Sequence, residues 1–408
     1  MEYTHRYPAH PTQEVAAELE HHIDIHRQAY NYTRYEYTHL DADSTGSAFK
    51  HHSRLPDWKD EFPVFTEVNA KALQRTVTRF YDNLSNLSQQ KENGNKVGNL
   101  KWKSPREFQS ITYSQHGFEL KNTSGRRATL WLSKIGDIPI RYHRPLPEEA
   151  DIKEVSIKKE TTGEWFVSFA LETDEADLPE KPDVNSLDAS NSVGIDLGIL
   201  SYIHTSDGQI VDWLDLEDEY DRLRRERRKL SRKQEGSSNY EKQRREVAKI
   251  KRHIKRKVED FQHKLTTWLV REYDAVFVED LNVRGMLEDS HNARNTQAAA
   301  WRQFITLLEY KAELYGTHVV QVEAAGTTKE CAKCGVETAK SIWVREHSCP
   351  SCGFEADRDA NAALNVLKRG FSELGLGWPE DTPVETALPT DTHSVSAKRV
   401  VEAGSLGT

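Results

Sequence analysis

Four cysteines and a small set of acidic residues hold the chemistry that this 408-residue sequence could perform. Cys331, Cys334, Cys349 and Cys352 make two Cys-x-x-Cys pairs with fourteen residues between them. Two residues between thiolates let one tight turn present both sulfurs to a tetrahedral Zn²⁺. Gly335 and Gly353 follow the pairs, where such a turn often calls for a positive φ. No cysteine lies elsewhere in the chain, and disulfides do not persist in a reducing compartment, so the pattern predicts zinc. Four thiolates close the coordination sphere, which makes the zinc structural and not catalytic. Lys329, Lys333 and Arg345 suit a knuckle that touches nucleic acid.

The acidic residues suggest a second, catalytic kind of metal site. Val193-Gly-Ile-Asp-Leu-Gly198 places Asp196 near the end of an apolar strand, and Val276-Phe-Val-Glu-Asp280 places Glu279 after another. A lone carboxylate buried there is costly, so each wants a cation or a network of donors. Asp357-Arg-Asp359 opens an apparent helix. Each acid alone is as well explained by a turn or a cap. Asp280 or Glu279 could face the site while the other caps the next turn, and Asp357 could cap the helix that carries Asp359. Together, two strand-end acids and one helix-start acid resemble an RNase H-like site that holds two Mg²⁺ roughly 3.5–4 Å apart and hydrolyses a phosphodiester. Mg²⁺ prefers hard oxygen ligands and keeps waters for a substrate phosphate.

These residues need elements to hold them. Val193–Leu197, Ala275–Val278 and Val319–Val322 read as buried strands, Ser206–Asp207–Gly208 as a hairpin turn, and Trp301–Tyr315 as a helix. A helix over about 359–369 carries the last acid. In the first half, Leu73, Val77, Phe80, Leu84 and Leu87 alternate steps of four and three, which predicts an amphipathic helix. Residues 1–60 read as polar and His-rich, with a helix around Ala16–Tyr30. Trp165, Val167, Phe169 and Leu171 alternate behind a turn at Thr161–Gly163, with Val155 and Ile157 as the partner strand. Together with Leu130, Trp131 and Leu132 they predict a small antiparallel barrel or sandwich. Residues 172–191 have the composition of a linker, and residues 371–408 that of a disordered tail.

Charge is segregated. The whole chain carries a formal −9, yet from Arg222 to Lys257 seventeen Lys and Arg face four Glu. Arg224, Arg225, Arg227, Arg228, Lys229, Arg232, Lys251, Arg252, Lys255 and Arg256 sit here, interleaved with Leu223, Leu230, Ile250, Ile254 and Val258. Such one-sided helices would repel themselves without a polyanion, so the segment is expected to bind phosphate backbone without reading bases. No apolar run approaches the ~18 residues of a membrane span, and the N-terminus has no signal-like apolar stretch. A cytoplasmic protein with no membrane partner is expected.

The motifs around Asp196, Glu279, Trp301–Gly316, the cysteine pairs and Asp357–Leu367, in that order, resemble the TnpB (OrfB) family of transposon-encoded RNA-guided DNA endonucleases. The specific motifs cover about residues 190–370; Arg6–Glu14 and Val97–Phe108 match more loosely. The resemblance implies an α+β multidomain chain. A wedge β-barrel over 1–190 would carry a helical recognition bundle at about 10–100. A RuvC-like nuclease domain would span 191–325 and 355–370, with a zinc ribbon inserted at 326–354. It carries over Asp196, Glu279 and Asp359 as the catalytic Mg²⁺ ligands and the four cysteines as the zinc ligands. It also implies a guide RNA from the transposon end, target DNA, and N-terminal domains that read a short motif beside the target. None of the seventeen histidines forms the His–apolar–His pair of a tyrosine-type transposase, so a separate transposase in the same element is expected. On the residues alone, a non-catalytic nucleic-acid-binding regulator of transposition and an unguided structure-specific nuclease remain alternatives.

Overall fold

The computed structural model describes residues 1–114, 116–148, 150–174, 177–198, 200–281, 301–341, 344–377 and 394–395. The chain divides into two compact units, Met1–Asp177 and Leu178–Thr408, with the division inside the expected linker.

The first unit opens with strand β1 (Glu2–Ala9), which the hydropathy pattern does not reveal because its inward positions are Tyr3, His5, Tyr7 and Ala9, aromatic and polar residues more than aliphatic ones. Five helices follow: α1 (Gln13–His39), α2 (Ala42–Thr45), α3 (Ala48–His52), α4 (Leu55–Glu61) and α5 (Ala70–Glu92). Thr12 caps α1, its Oγ1 accepting from Val15 N at 3.3 Å, and the helix runs nine residues beyond the expected end at Tyr30. The helices close around Ile25, Ala29, Leu55, Trp58, Phe65, Leu73 and Val77. Six further strands, β2 (Ser110–Ser114), β3 (Phe118–Ser124), β4 (Arg127–Leu132), β5 (Gly136–Arg141), β6 (Asp151–Lys159) and β7 (Trp165–Glu172), join β1 in a sheet of order β2-β6-β7-β1-β5-β4-β3. Ile157 pairs with Val167 as the alternation predicts. The described residues do not show the expected barrel: the sheet is open, with β2 and β3 as edges. Among the described residues no ladder joins these two edge strands.

His26 of α1 is fully buried, bonded through Nδ1 to the Thr76 hydroxyl at 2.7 Å, and burial pushes it down to about 3. Burial likewise pushes His5 down to about 4. Both fall below the unfolded value near 6.5, so the unfolded chain binds more protons between those limits. Stability is therefore full above pH 6.5 and lost as pH falls below it, by up to about 1.4 kcal/mol per pH unit per histidine. Thermal melting of the wild type should show a lower Tm at pH 5.5 than at 7.5, and His26→Gln should flatten that difference.

The second unit is built on β8 (Ser192–Leu197), β9 (Ile203–Thr205), β10 (Ile210–Val211), β11 (Ala275–Asp280) and β12 (His318–Glu323), in the order β12-β11-β8-β9-β10. β11 runs parallel to β8 and β12, while β9 is antiparallel to β8 and β10. Helices α6 (Glu217–Ser231) and α7 (Ser238–Glu272) connect β10 to β11, and α8 (Trp301–Tyr315) precedes β12. A hairpin of β13 (Glu346–Ser348) and β14 (Glu355–Asp357) leads into α9 (Arg358–Glu373). Val193, Ile195, Val276 and Val278 face Phe261, Leu265 and Leu269 of α7 and Phe304 and Leu308 of α8. Ala275 and Phe277 face Val366, Leu367 and Phe371 of α9.

Two glycines let α9 lie against the sheet. A Cβ on Gly194 would sit 2.3 Å from Ala363 O, and one on Gly370 would sit 2.0 Å from the Phe277 ring. α9 continues to Glu373 with Phe371 buried, so the expected tail starts inside a helix. Ser394–Val395 forms a short strand, β15, parallel to β10, and positions 378–393 and 396–408 of that tail lie outside the described residues.

Candidate active site and zinc centre

Strand register brings the two strand-end acids together. Ile195 pairs with Val278 across the parallel ladder, so the next residues along, Asp196 and Glu279, lie level on neighbouring strands. Strand side chains alternate faces, and both acids share the face of Gly194 and Phe277, which α9 covers. Asp359, in the first turn of α9, is the third group there. Asp196, Glu279 and Asp359 are 6%, 5% and 3% exposed, whereas Asp280 is exposed. Asp357 is the helix cap: its Oδ1 accepts from Asp359 N at 2.8 Å and Ala360 N at 3.4 Å.

Burial, then the neighbouring charges of Glu279 and Asp359, hold Asp196 well above the usual carboxylate range. Burial also pushes Glu279 up to about 7, opposed by the Thr327 hydroxyl, which donates to Glu279 Oε1 at 2.6 Å. Arg345 and Arg358 both donate to the Asp359 carboxylate, Arg358 at 3.3 Å. Three carboxylates gathered away from water disfavour one another's charge, and a divalent cation reverses that penalty. The donor set is all oxygen, which fits a hard cation such as Mg²⁺.

The cysteines converge as their spacing predicts. All four sulfurs lie within 4.8 Å of one another. The Cys331–Cys352 separation is 3.7 Å and that of Cys334–Cys349 is 3.5 Å. Tetrahedral zinc with Zn–S near 2.3 Å needs sulfurs about 3.8 Å apart, so the cluster fits the ion closely. Gly335 and Gly353 take φ of 74° and 69°, as the knuckle turns require.

Sequence reasoning missed the groups that dock this cluster on α9. Asn361 Oδ1 accepts from Ala332 N at 3.0 Å, and its Nδ2 donates to Glu330 O at 2.8 Å. Asn365, one turn on, donates to Thr327 O at 2.8 Å and Glu330 O at 2.7 Å. Two buried asparagines at i and i+4 in an apolar helix were the available signal, since Asn is a poor interior helix residue unless its side chain is engaged elsewhere. Asn361→Ala should cost about 1–3 kcal/mol by stranding Ala332 N, while Glu330 O keeps its bond from Asn365. Limited proteolysis should then cut within 326–357 faster than in the wild type.

The basic segment forms two helices joined at 232–237. Leu223, Val247, Ile250 and Ile254 pack between them, with Leu230 and Val258 at the margin. Arg224, Arg225, Arg227, Arg228, Lys229, Arg232, Lys251, Lys255 and Arg256 are exposed, and Arg252 is half-buried. Arg224 pairs with Asp221, Lys229 with Glu226 at 2.7 Å, and Lys255 with Glu259 at 3.4 Å. Exposed pairs of this kind are worth at most about 1 kcal/mol, so they yield readily to phosphate. Among the described residues, no helix is long and apolar enough to cross a membrane.

Comparison with known proteins supplies the context. A family model described as "Probable transposase" matches residues 171–289, and one described as "Cas12f1-like, TNB domain" matches residues 301–366. A Streptomyces pristinaespiralis protein named "Putative RNA-guided DNA endonuclease" is 32% identical over 380 residues, spanning 91% of this chain and 90% of its own. The TnpB-like protein L79 of Acanthamoeba polyphaga mimivirus is 29% identical over 44% of this chain and 38% of its own. A solved Cas12f1–sgRNA–target DNA complex contains a chain similar in fold, with TM-score 0.57 and 17% identity, covering 87% of this chain and 83% of that one.

Proposed function

Because the chain belongs to the TnpB (OrfB) family, we propose that it is a transposon-encoded RNA-guided DNA endonuclease that cuts target DNA at the Asp196–Glu279–Asp359 cluster. The observation that carries this reading is that buried Asp196 and Glu279 lie level on β8 and β11 and both feel the charge of buried Asp359 at the start of α9, with the first two held above their usual range. A family likeness without that cluster would fit a binding protein equally well.

Asp196, Glu279 and Asp359 would hold Mg²⁺. When bound, such ions supply charge neutralisation at the scissile phosphate and lower the pKa of a bound water at neutral pH. The protein's own contribution is positional. β8 and β11 fix two carboxylates through backbone pairing, and α9, seated by Gly194, fixes the third. Thr327 orients Glu279 by its hydrogen bond, which ties the loop before the cysteines to the active face. Arg345 and Arg358 place positive charge beside Asp359, where a DNA phosphate would enter. Hydrolysis in this arrangement leaves a 5′-phosphate and a 3′-hydroxyl.

The zinc cluster would act as a structural ribbon. The open sheet of the first unit with helices α1–α5 would serve as the wedge and recognition parts, reading the motif beside the target. The basic hairpin α6–α7 would hold nucleic acid by its backbone. Replacing Arg225, Arg227, Arg228 and Arg232 together with Gln should lower RNA affinity and flatten its salt dependence. The log–log slope should fall by up to about 0.7–0.9 for each phosphate that is no longer neutralised. Competition binding at several salt concentrations would measure it.

The reading is tested by expressing the protein with its flanking transposon-end DNA, sequencing the RNA that co-purifies, and assaying a matched plasmid with Mg²⁺. Bound RNA with matched cleavage supports the proposal. Bound RNA without cleavage would favour a regulator of transposition, and cleavage without RNA an unguided nuclease.

A further inference from the structure

His204 has no role in the three-carboxylate arrangement, yet it stands directly across the β8–β9 ladder from Asp196. It is 4% exposed, and neither ring nitrogen has a hydrogen-bond partner among the described residues. A buried polar group left in that state is unfavourable, so its orientation calls for a ligand. Cross-strand partners project from the same face of a sheet. Glu279, Asp196 and His204 therefore form one row across β11, β8 and β9, beneath the start of α9. One ring nitrogen of His204 and one carboxylate oxygen each of Asp357 and Asp359 lie within 4.8 Å of one another. Three ligand atoms about 2.0–2.2 Å from a single ion are at most roughly 4.4 Å apart, so small side-chain rotations close the site.

We propose that His204, Asp357 and Asp359 form a further divalent-cation position beside the carboxylate cluster, with a nitrogen ligand that favours a transition metal such as Mn²⁺ or Co²⁺ over Mg²⁺. Imidazole is a ligand for first-row transition metals, whereas Mg²⁺ is served by carboxylates, carbonyls and water. Asp357 can cap α9 through Oδ1 and still ligate, because a carboxylate has about four lone-pair sites. The guanidinium of Arg345 holds one oxygen of Asp359 and that of Arg358 the other, at 3.3 Å; the Arg345 side chain is 36% exposed, so an entering cation can displace it toward solvent and take the oxygen it leaves. The proposal rests on the nuclease reading only for Asp359, and it needs neither guide nor target.

The test uses the full chain with its zinc in place. Mn²⁺ is titrated and followed by electron paramagnetic resonance, with spin-echo modulation to detect nitrogen bound to the ion. The expected result is an imidazole nitrogen signal in the wild type that His204→Ala abolishes, together with at least tenfold weaker Mn²⁺ binding. Mg²⁺ affinity, measured by calorimetry, should change less than twofold. Asp357→Asn keeps the cap, since Asn serves as well there, and should also weaken Mn²⁺ binding; this second variant covers a folding defect in the first. Absence of a nitrogen signal in the wild type, or equal Mn²⁺ affinity in well-folded His204→Ala, overturns the proposal. Should that happen while Asp196→Ala still removes Mg²⁺ binding and cleavage, the nuclease reading stands alone. Cleavage that survives Asp196→Ala sinks that reading instead, whatever His204 does.

Discussion

Asp196→Ala should reduce Mg²⁺-dependent DNA cleavage by on the order of a thousandfold or more while leaving guide-RNA binding unchanged. Asp196 sits between Glu279 on β11 and His204 on β9, so its removal opens the middle of the row. Metal-borne charge stabilisation of a phosphoryl transition state is worth several kcal/mol, and each 1.36 kcal/mol is tenfold in rate. Folding should not suffer. Burial and two neighbouring carboxylates make the charged form of Asp196 unfavourable in the metal-free protein, so the alanine relieves a strain that the site tolerates for function. Melting temperature should stay level or rise. A loss of cleavage accompanied by a large fall in Tm would instead point to a structural role for this carboxylate. Asp196 is buried whereas most of the hairpin's basic side chains are exposed, so RNA binding by filter or fluorescence titration should be insensitive to the change.

Removing zinc, by a strong chelator or by Cys349→Ser, should unfold the 326–357 segment and take activity with it. Structural zinc contributes about 10–16 kcal/mol to the folding of small thiolate domains at neutral pH, far more than the segment's own core can replace. That core consists of Cys331, Ala332, Cys349, Phe354 and Leu364, two of which are themselves ligand candidates. The loss would not stay local. Thr327, which holds Glu279, precedes the cysteines, Arg345, which holds Asp359, lies between the two pairs, and Asn361 and Asn365 anchor the loop before Cys331 to α9. The expected signature is rapid proteolysis between 326 and 357, at least a hundredfold slower cleavage, and recovery of both on adding Zn²⁺ back. Full activity in zinc-free protein would show that the ribbon does not support the active face.

Which parts of this were legible in the sequence follows from what each residue's chemistry demands. Cysteine pairs at metal spacing and carboxylates ending apolar strands announce themselves, because few structures tolerate them without a partner. The strands holding Asp196 and Glu279 were visible for the same reason: buried parallel strands are continuous apolar runs. Asp357 and Asp359 could not be separated from sequence as metal ligands; in the structure Asp357 caps the helix and Asp359 is buried. β1 was illegible because Tyr and His supply its buried face. Closure of the first sheet was not legible, because alternation marks strands and says nothing of whether the two edge strands meet. Thr327, Asn361 and His204 were missed because their importance lies in register and docking, which single positions do not display.

The most direct measurement is cleavage by protein carrying an RNA whose guide segment has been rewritten to match a second plasmid, beside the original RNA and the Asp196→Ala variant. The expected result is that the cut moves to the second plasmid with the wild-type protein, requires Mg²⁺, and disappears in the variant. A cut that stays at its first position, or persists in Asp196→Ala, would contradict RNA-guided cleavage at this carboxylate cluster.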